Sequence, residues 1–380
     1  MNVLHVIPGL NREQGGLLST LEGLCAAWVS AGAKCTIASI SDGKQEDGHF
    51  SGAVVKTFAP GRPRKLAVSN GLKTWLAAHA REFDAISAQG IWLSPTRYAF
   101  AAALKAKRPF LLLPAGMLDP DALAHHPLRK TLRWWLGERG LVHRSHLLFS
   151  TQEDHARAAG HLKLDPSRCH VVQNPLRPDF LDAPLRQEVS SPPRVLCLNR
   201  VHPRKGVLEW IKALQLLSKQ GMAFRAILAG PEEDAAYVRE CRIAGRELIE
   251  SGQLEWAGLL DGTGVKAHLF KSDILVHPAV GYENFGMVIA EAMAAGLAVV
   301  ASRRALVTPQ LERAGIVEAV EPTSHEIAAA LTRLLANPAQ LLRRGRLGQA
   351  YATAHFCVEA VGKRLLQVLG EIARKKPERQ

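Results

Sequence analysis

Twice along the chain, a short apolar run passes through a loop into a segment of helical period and then into a second apolar run. The first instance predicts a strand over Val3–Ile7, a loop with Pro8, Gly9, Gly15 and Gly16, an amphipathic helix from about Leu17 to Ser30, and a strand over Lys34–Ile40. Such a unit demands a parallel sheet, because the crossover helix returns the second strand alongside the first in the same direction. Further strands fit Ala85–Ala88, Phe110–Leu113 and Leu147–Ser150. Residues 174–193, NPLRPDFLDAPLRQEVSSPP, are proline-rich, lack periodicity and read as a linker. The pattern then restarts. Strand Arg194–Asn199 leads through VHPRKG to a helix over Val207–Lys219, and strands follow at Phe224–Leu228, Leu254–Trp256 and Ile274–His277. Loop 278–285 feeds a helix over Gly286–Ala295, strand Ala298–Ala301 closes the series, and the remainder reads as helical. The fold class is α/β, with two doubly wound domains in succession. Ligands of such sheets sit beyond the carboxyl ends of the strands, and clefts between domains are preferred pockets.

Composition narrows the partners. The chain of 380 residues carries a net charge of +13, spread over both halves, so an anionic partner fits. Nucleotide phosphates, a membrane surface, an anionic polysaccharide and nucleic acid all qualify by charge, but no nucleic-acid-binding motif accompanies it. The six cysteines form no Cys-x-x-Cys and no zinc spacing with histidine. They read as buried, reduced thiols of a cytoplasmic protein. The opening MNVLHVIPGL lacks a charged n-region and a cleavage site and reads as a strand. No apolar run is long enough to span a bilayer.

The segment GYENFGMVIAEAMAAGLAVVAS, residues 281–302, carries the strongest chemical signal. Glu283 falls in a loop after a strand and Glu291 inside the next helix. Between them Gly286 allows close approach of backbone to a ligand. The N–H groups of Phe285, Gly286 and Met287 stand at the helix start, where the helix dipole favours negative charge. Taken singly, Glu291 reads as a solvent-exposed helix glutamate and Glu283 as an acid complementing the helix dipole. The second signal is NRVHPRKG, residues 199–206, in which Arg200 closes a strand and Lys205 opens a helix, so that both can reach one diphosphate.

The first segment resembles the E-x7-E signature of the family-4 retaining GT-B glycosyltransferases. The second resembles that family's G-R-x4-K-G, with Asn199 in place of the usual glycine. Ala298 stands where proline is usual. Gly15-Gly16 resembles the family's N-terminal glycine pair, and Trp256-Ala257-Gly258 its F-x-G segment, whose backbone holds the base. PAGMLDPDAL, residues 114–123, resembles the bacterial surface-polysaccharide branch, which serves exopolysaccharide and lipopolysaccharide synthesis. The resemblance covers nearly the whole chain. It implies two Rossmann-like domains facing across a cleft: an acceptor-side domain over 1–175, with a helix from about 358 to 380 packing back on it, and a donor domain over 176–357.

It further implies that Glu283 contacts the donor sugar, with Arg200 and Lys205 on the diphosphate, Glu291 on the ribose, and Phe285, Gly286, Met287, Asn199 and Gly258 lining the donor site. The donor is a UDP- or GDP-linked sugar used as co-substrate. No other cofactor is expected, and no Asp-x-Asp is positioned for a metal. The acceptor is a glycan or lipid-linked glycan. Two departures fall on the acceptor side. Gln89 replaces the histidine usual before Gly90-Ile91-Trp92, and Ala115 replaces the arginine usual before Gly116-Met117-Leu118. Asp119 is an acidic candidate there, with a turn role beside Pro120 as its alternative. Residues 125–146 hold five cations, one acid, and Trp134 and Trp135. Contact with the inner face of an anionic plasma membrane is one reading, and a half-buried helix with core tryptophans the other. A sugar-nucleotide epimerase of this architecture and a non-catalytic glycan- or membrane-binding homologue are the alternative functions. The other histidines, His5 and His277 among them, read as satisfied core residues.

Overall fold

The structure is a computed structural model and describes residues 1–10, 16–41, 50 and 52–374. The chain divides into two units, Met1–Pro178 with Phe356–Gln380, and Asp179–His355. In the first, seven strands run as β1 (Asn2–Ile7), β2 (Lys34–Ile40), β3 (Ala53–Phe58), β4 (Ala85–Gln89), β5 (Phe110–Leu113), β6 (His146–Phe149) and β7 (Cys169–Val171). Their order across the sheet is β3-β2-β1-β4-β5-β6-β7, and every pairing is parallel. The central strands β4 and β5 are buried throughout, as a sheet covered by helices on both faces requires.

The helix Val358–Arg374 belongs to this unit and lies on the helix Gly16–Ser30. Val361, Leu365 and Val368 share a core with Leu21, Leu24, Ala27 and Trp28. Glycine permits that approach, because a Cβ on Gly362 would stand 2.3 Å from the Ala27 carbonyl oxygen.

The second unit is built from β8 (Arg194–Leu198), β9 (Arg225–Ala229), β10 (Leu254–Gly258), β11 (Ile274–His277), β12 (Ala298–Ser302) and β13 (Glu318–Val320). They form a parallel sheet in the order β10-β9-β8-β11-β12-β13. At its amino-terminal end the buried Asp273 carboxylate accepts from the Arg194 N–H at 2.8 Å, the Ser190 N–H at 3.2 Å and Arg186 Nη1 at 3.1 Å. One carboxylate thus ties the irregular segment before β8 to the sheet. That segment is not wholly without structure, since Pro178–Leu181 forms one helical turn.

Both sheets reverse their strand sequence once, between β1 and β4 and between β8 and β11. The chain leaves neighbouring strands in opposite directions there, and a crevice opens beyond their carboxyl ends. In the second unit this brings the loop after β8, with Asn199, Arg200 and Lys205, beside the loop after β11, with Glu283 and Gly286.

Candidate functional site

The two loops of the second unit are joined through backbone. The Val280 and Gly281 N–H groups both donate to the Arg204 carbonyl, at 3.0 and 2.9 Å. The fit depends on Gly206, whose φ is +69° and whose Cβ, were it present, would stand 2.0 Å from the Pro278 carbonyl oxygen. Glu283 is gripped from the other side, its N–H donating to Arg304 at 3.1 Å and its carbonyl accepting from Leu306 at 3.0 Å. Backbone on both flanks therefore fixes where the Glu283 side chain starts.

The Lys205 ammonium donates to Glu283 Oε2 in a mostly buried ion pair. Burial works to raise the Glu283 carboxyl. The attraction of Lys205, then His277 and Arg200, outweighs it and holds the group below its ordinary value. The loop thus presents a fixed carboxylate at neutral pH, with the Lys205 side chain paired to it. Arg200 is placed differently from the expectation that it and Lys205 converge. Its Nη1 donates to both oxygens of Glu233, at 2.9 and 2.8 Å. That bridge is exposed, and such bridges contribute only about 0–1 kcal/mol, so the guanidinium can exchange Glu233 for a phosphate at small cost.

The helix after this loop, Met287–Ala294, starts at Gly286 with φ +74° and has no side chain capping it. Its first N–H groups have no intrahelical acceptor and stand at the positive end of the helix dipole. Phe285 is buried and anchors the turn. Glu291 lies within the helix and is 9% exposed, an acid held at the edge of the core. Gly258 ends β10 with φ +70°, and its carbonyl accepts from the Gly230 N–H at 2.7 Å. No atom lies within 4 Å of the point a Gly258 Cβ would occupy.

Two residues change role. Asn199 is buried and turned inward, its Nδ2 lying 3.3 Å from His277 Nδ1. It supports the site from behind rather than lining it. His277 is not the satisfied core histidine expected from the sequence, because its Nε2 has no hydrogen-bond partner, and the Nε2 of His5 is likewise unpaired. The available signal was a polar residue ending an otherwise apolar strand beside a neighbour that also ends in a polar residue.

In the first unit, Gly15 lies outside the described residues. Gly16 opens its helix, and nothing there demands a glycine, since a Cβ would meet no atom within 4 Å. Gln89 ends β4, is buried, and leaves its Oε1 unpaired. Ala115 adopts φ +50°, a strained value for a residue with a side chain. Asp119 is not a free acid. It caps the helix Pro120–Ala124 through the Asp121 N–H at 2.8 Å and accepts from Arg157 at 2.5 and 3.1 Å. The stretch 125–146 forms helices Pro127–Arg133 and Arg139–Arg144 around a π-turn at Trp134–Glu138. Trp134 packs against the core, as the half-buried helix expectation has it, whereas Trp135 is 67% exposed. Cysteines are free throughout, and Cys169 and Cys357 are only half-buried. Among the described residues no three His, Cys, Asp or Glu side chains gather as metal ligands, and no helix is long and apolar enough to cross a membrane.

Comparison with known proteins bears on both units. Residues 15–175 match the family model described as "Glycosyl transferase 4-like domain", and residues 185–351 match "Glycosyl transferases group 1". The amylovoran biosynthesis glycosyltransferase AmsK of Erwinia amylovora is 25% identical over 213 residues, 54% of this chain and 51% of that protein. The phosphatidyl-myo-inositol mannosyltransferase of Mycolicibacterium smegmatis is 34% identical over 125 residues, 32% of this chain and 31% of that one. The chain thus spans about half or less of the curated relatives it matches. Among solved structures, Anabaena HepE in complex with UDP and glucose superimposes with a TM-score of 0.72 at 20% identity, covering 97% of this chain and 99% of that one, and so shares the fold.

Proposed function

The chain belongs to the glycosyltransferases of GT-B fold that join a 4-like domain to a group 1 domain, and from that premise we propose that it moves a sugar from a nucleoside diphosphate to an acceptor hydroxyl with retention of anomeric configuration. The observation that carries the proposal is the buried Lys205–Glu283 pair set beside the uncapped helix start at Gly286, at the switch point of the second sheet. In the transition state the sugar ring gains positive charge and the departing diphosphate negative charge. Arg200, Lys205 and the N–H groups at the helix start stabilise the leaving group without reorganising, and one such donor can contribute about 3–4 kcal/mol. The reading gives this role to protein groups, with no metal and no further cofactor. Glu283, held ionised, orients hydroxyls of the sugar. Glu291 reaches the ribose, and the open backbone at Gly258 receives the base.

HepE is described with UDP and glucose, which favours a UDP-linked donor. The name of the Erwinia relative supports a role in surface-polysaccharide synthesis, and that of the mycobacterial relative a lipid-linked acceptor. A lipid-linked acceptor also gives meaning to the exposed face of the first unit. Leu128, Leu132, Trp135 and Leu136 are all exposed, and the Arg139 guanidinium lies 5.0 Å from the Trp135 ring centre. Apolar side chains among arginines fit an anionic bilayer surface. The enzymatic reading is tested by release of nucleoside diphosphate from UDP- and GDP-sugars in the presence of lipid-linked acceptor. Lys205→Ala and Glu291→Ala each lose activity if it holds, and unchanged turnover in both sinks it.

A further inference from the structure

His277 ends β11 directly beneath the turn that carries Glu283 and Gly286. Its side chain is buried, and its Nδ1 stands 3.3 Å from Asn199 Nδ2 at the end of neighbouring β8. An amide nitrogen only donates, so Nδ1 accepts and the ring proton resides on Nε2. That Nε2–H finds no acceptor among the described residues. Burial pushes the ring down to about 4, with Glu283 acting to raise it and Lys205 to lower it, so the imidazole is neutral at neutral pH.

The direction of the unpaired group matters. Nε2 lies 3.6 Å from the point a Cβ on Gly286 would occupy. It therefore borders the Gly286 turn, which Ile289 Cδ1 also borders, at 3.1 Å from the same point. Buried donors without acceptors are rare and costly, and they mark places where a partner is missing. A hydroxyl seated at this turn meets complementary groups: the Glu283 carboxylate accepts its proton, and the Nε2–H donates to its oxygen. An acceptor facing a donor in this way matches a hydroxyl group.

We propose that His277, held by Asn199 as the Nε2–H tautomer, is a specificity-determining residue that donates to one hydroxyl of the donor sugar against Glu283. Asn199 is its positioning residue, acting only through the ring. The inference rests on the donor-site assignment and adds to it the element that reads the sugar rather than the nucleotide.

The test compares wild type, His277→Leu, His277→Gln and Asn199→Ala, using the nucleotide sugar that wild type turns over and the matching nucleoside diphosphate without sugar. His277→Leu is expected to lose about tenfold in kcat/KM while binding the bare nucleoside diphosphate within about twofold of wild type. His277→Gln, which keeps an N–H donor, recovers part of the loss. Within a series of monodeoxy donors, one member erases the difference between wild type and His277→Leu. Nitrogen-15 NMR shows the Nε2–H tautomer in wild type and a tautomer mixture in Asn199→Ala. Unchanged kcat/KM in His277→Leu, an equal fall in affinity for the bare nucleoside diphosphate, or an Nδ1–H tautomer in wild type overturns the proposal. Should His277→Leu not fold, the Gln and Asn199→Ala variants and the NMR measurement decide it. Wild type that accepts no nucleotide sugar overturns the donor-site assignment as well, whereas failure of the His277 variants alone leaves it standing.

Discussion

Lys205 and Glu283 form a largely buried ion pair in which the lysine holds Glu283 ionised, so neither can be removed quietly. Truncating one partner leaves the other as an uncompensated charge. Lys205→Ala is expected to lower kcat/KM by about 10²–10³-fold and to move the Glu283 carboxyl upward, which the acid limb of the pH–rate profile reads. Two buried histidines weaken the fold in acid, while burial raises the Asp154 carboxyl to about 7 and so works in the opposite direction. His5 and His277 are each lowered to about 4 by burial. The unfolded chain binds their protons from about pH 6.5 downward, while the folded chain resists until about 4, so stability falls as pH drops through that window. Each contributes up to about 3 kcal/mol to the loss. Urea unfolding between pH 7 and 4.5 should show wild type losing stability relative to His277→Gln as pH falls. That Lys205 and Glu283 lie in loops that follow strands of one parallel sheet was legible from the repeated strand–helix–strand pattern. The inward turn of Asn199, the Arg200–Glu233 bridge and the Asp119–Arg157 bridge were not. Each depends on partners between 33 and 78 positions away, and only packing brings them together.

The strands that formed where the sequence placed them are those buried on both faces, such as β5 and β12, whose unbroken apolar runs have one solution in a parallel sheet. The strands not anticipated lie at sheet edges. In β3 exposed and half-buried residues alternate, and β7 and β13 are three residues each, too short for a period to show. Loop geometry sets the site's precision at this scale. Gly206→Ala adds a Cβ that collides with the Pro278 carbonyl at positive φ, and should cost more than about 2 kcal/mol while weakening nucleotide binding. Gly252→Ala has the same sign of φ and open space, so it should cost only about 1 kcal/mol and leave binding alone. Thermal unfolding and nucleotide titration of the two variants separate a glycine that serves the site from one that serves a turn.

At the scale of the molecule, the division into two α/β units follows from the repeated strand–helix–strand pattern. The return of the helix Val358–Arg374 to the first unit does not. Its strongly two-faced sequence says that it packs, and the close passage of Gly362 over Ala27 shows on what. The exposed Leu128–Leu136 face predicts salt-sensitive binding to vesicles containing anionic lipid. A Trp135→Glu, Leu136→Glu double variant should reduce that binding about tenfold or more without changing nucleotide affinity. The central claim is that the second unit holds a nucleoside diphosphate sugar at Lys205, Glu283, Gly286 and Glu291. Calorimetric titration of the full chain with UDP, GDP and ADP tests it most directly. One of them should bind one-to-one, weakened about tenfold or more in both Lys205→Ala and Glu291→Ala. Failure of all three nucleotides to bind, or binding that neither substitution alters, would contradict it.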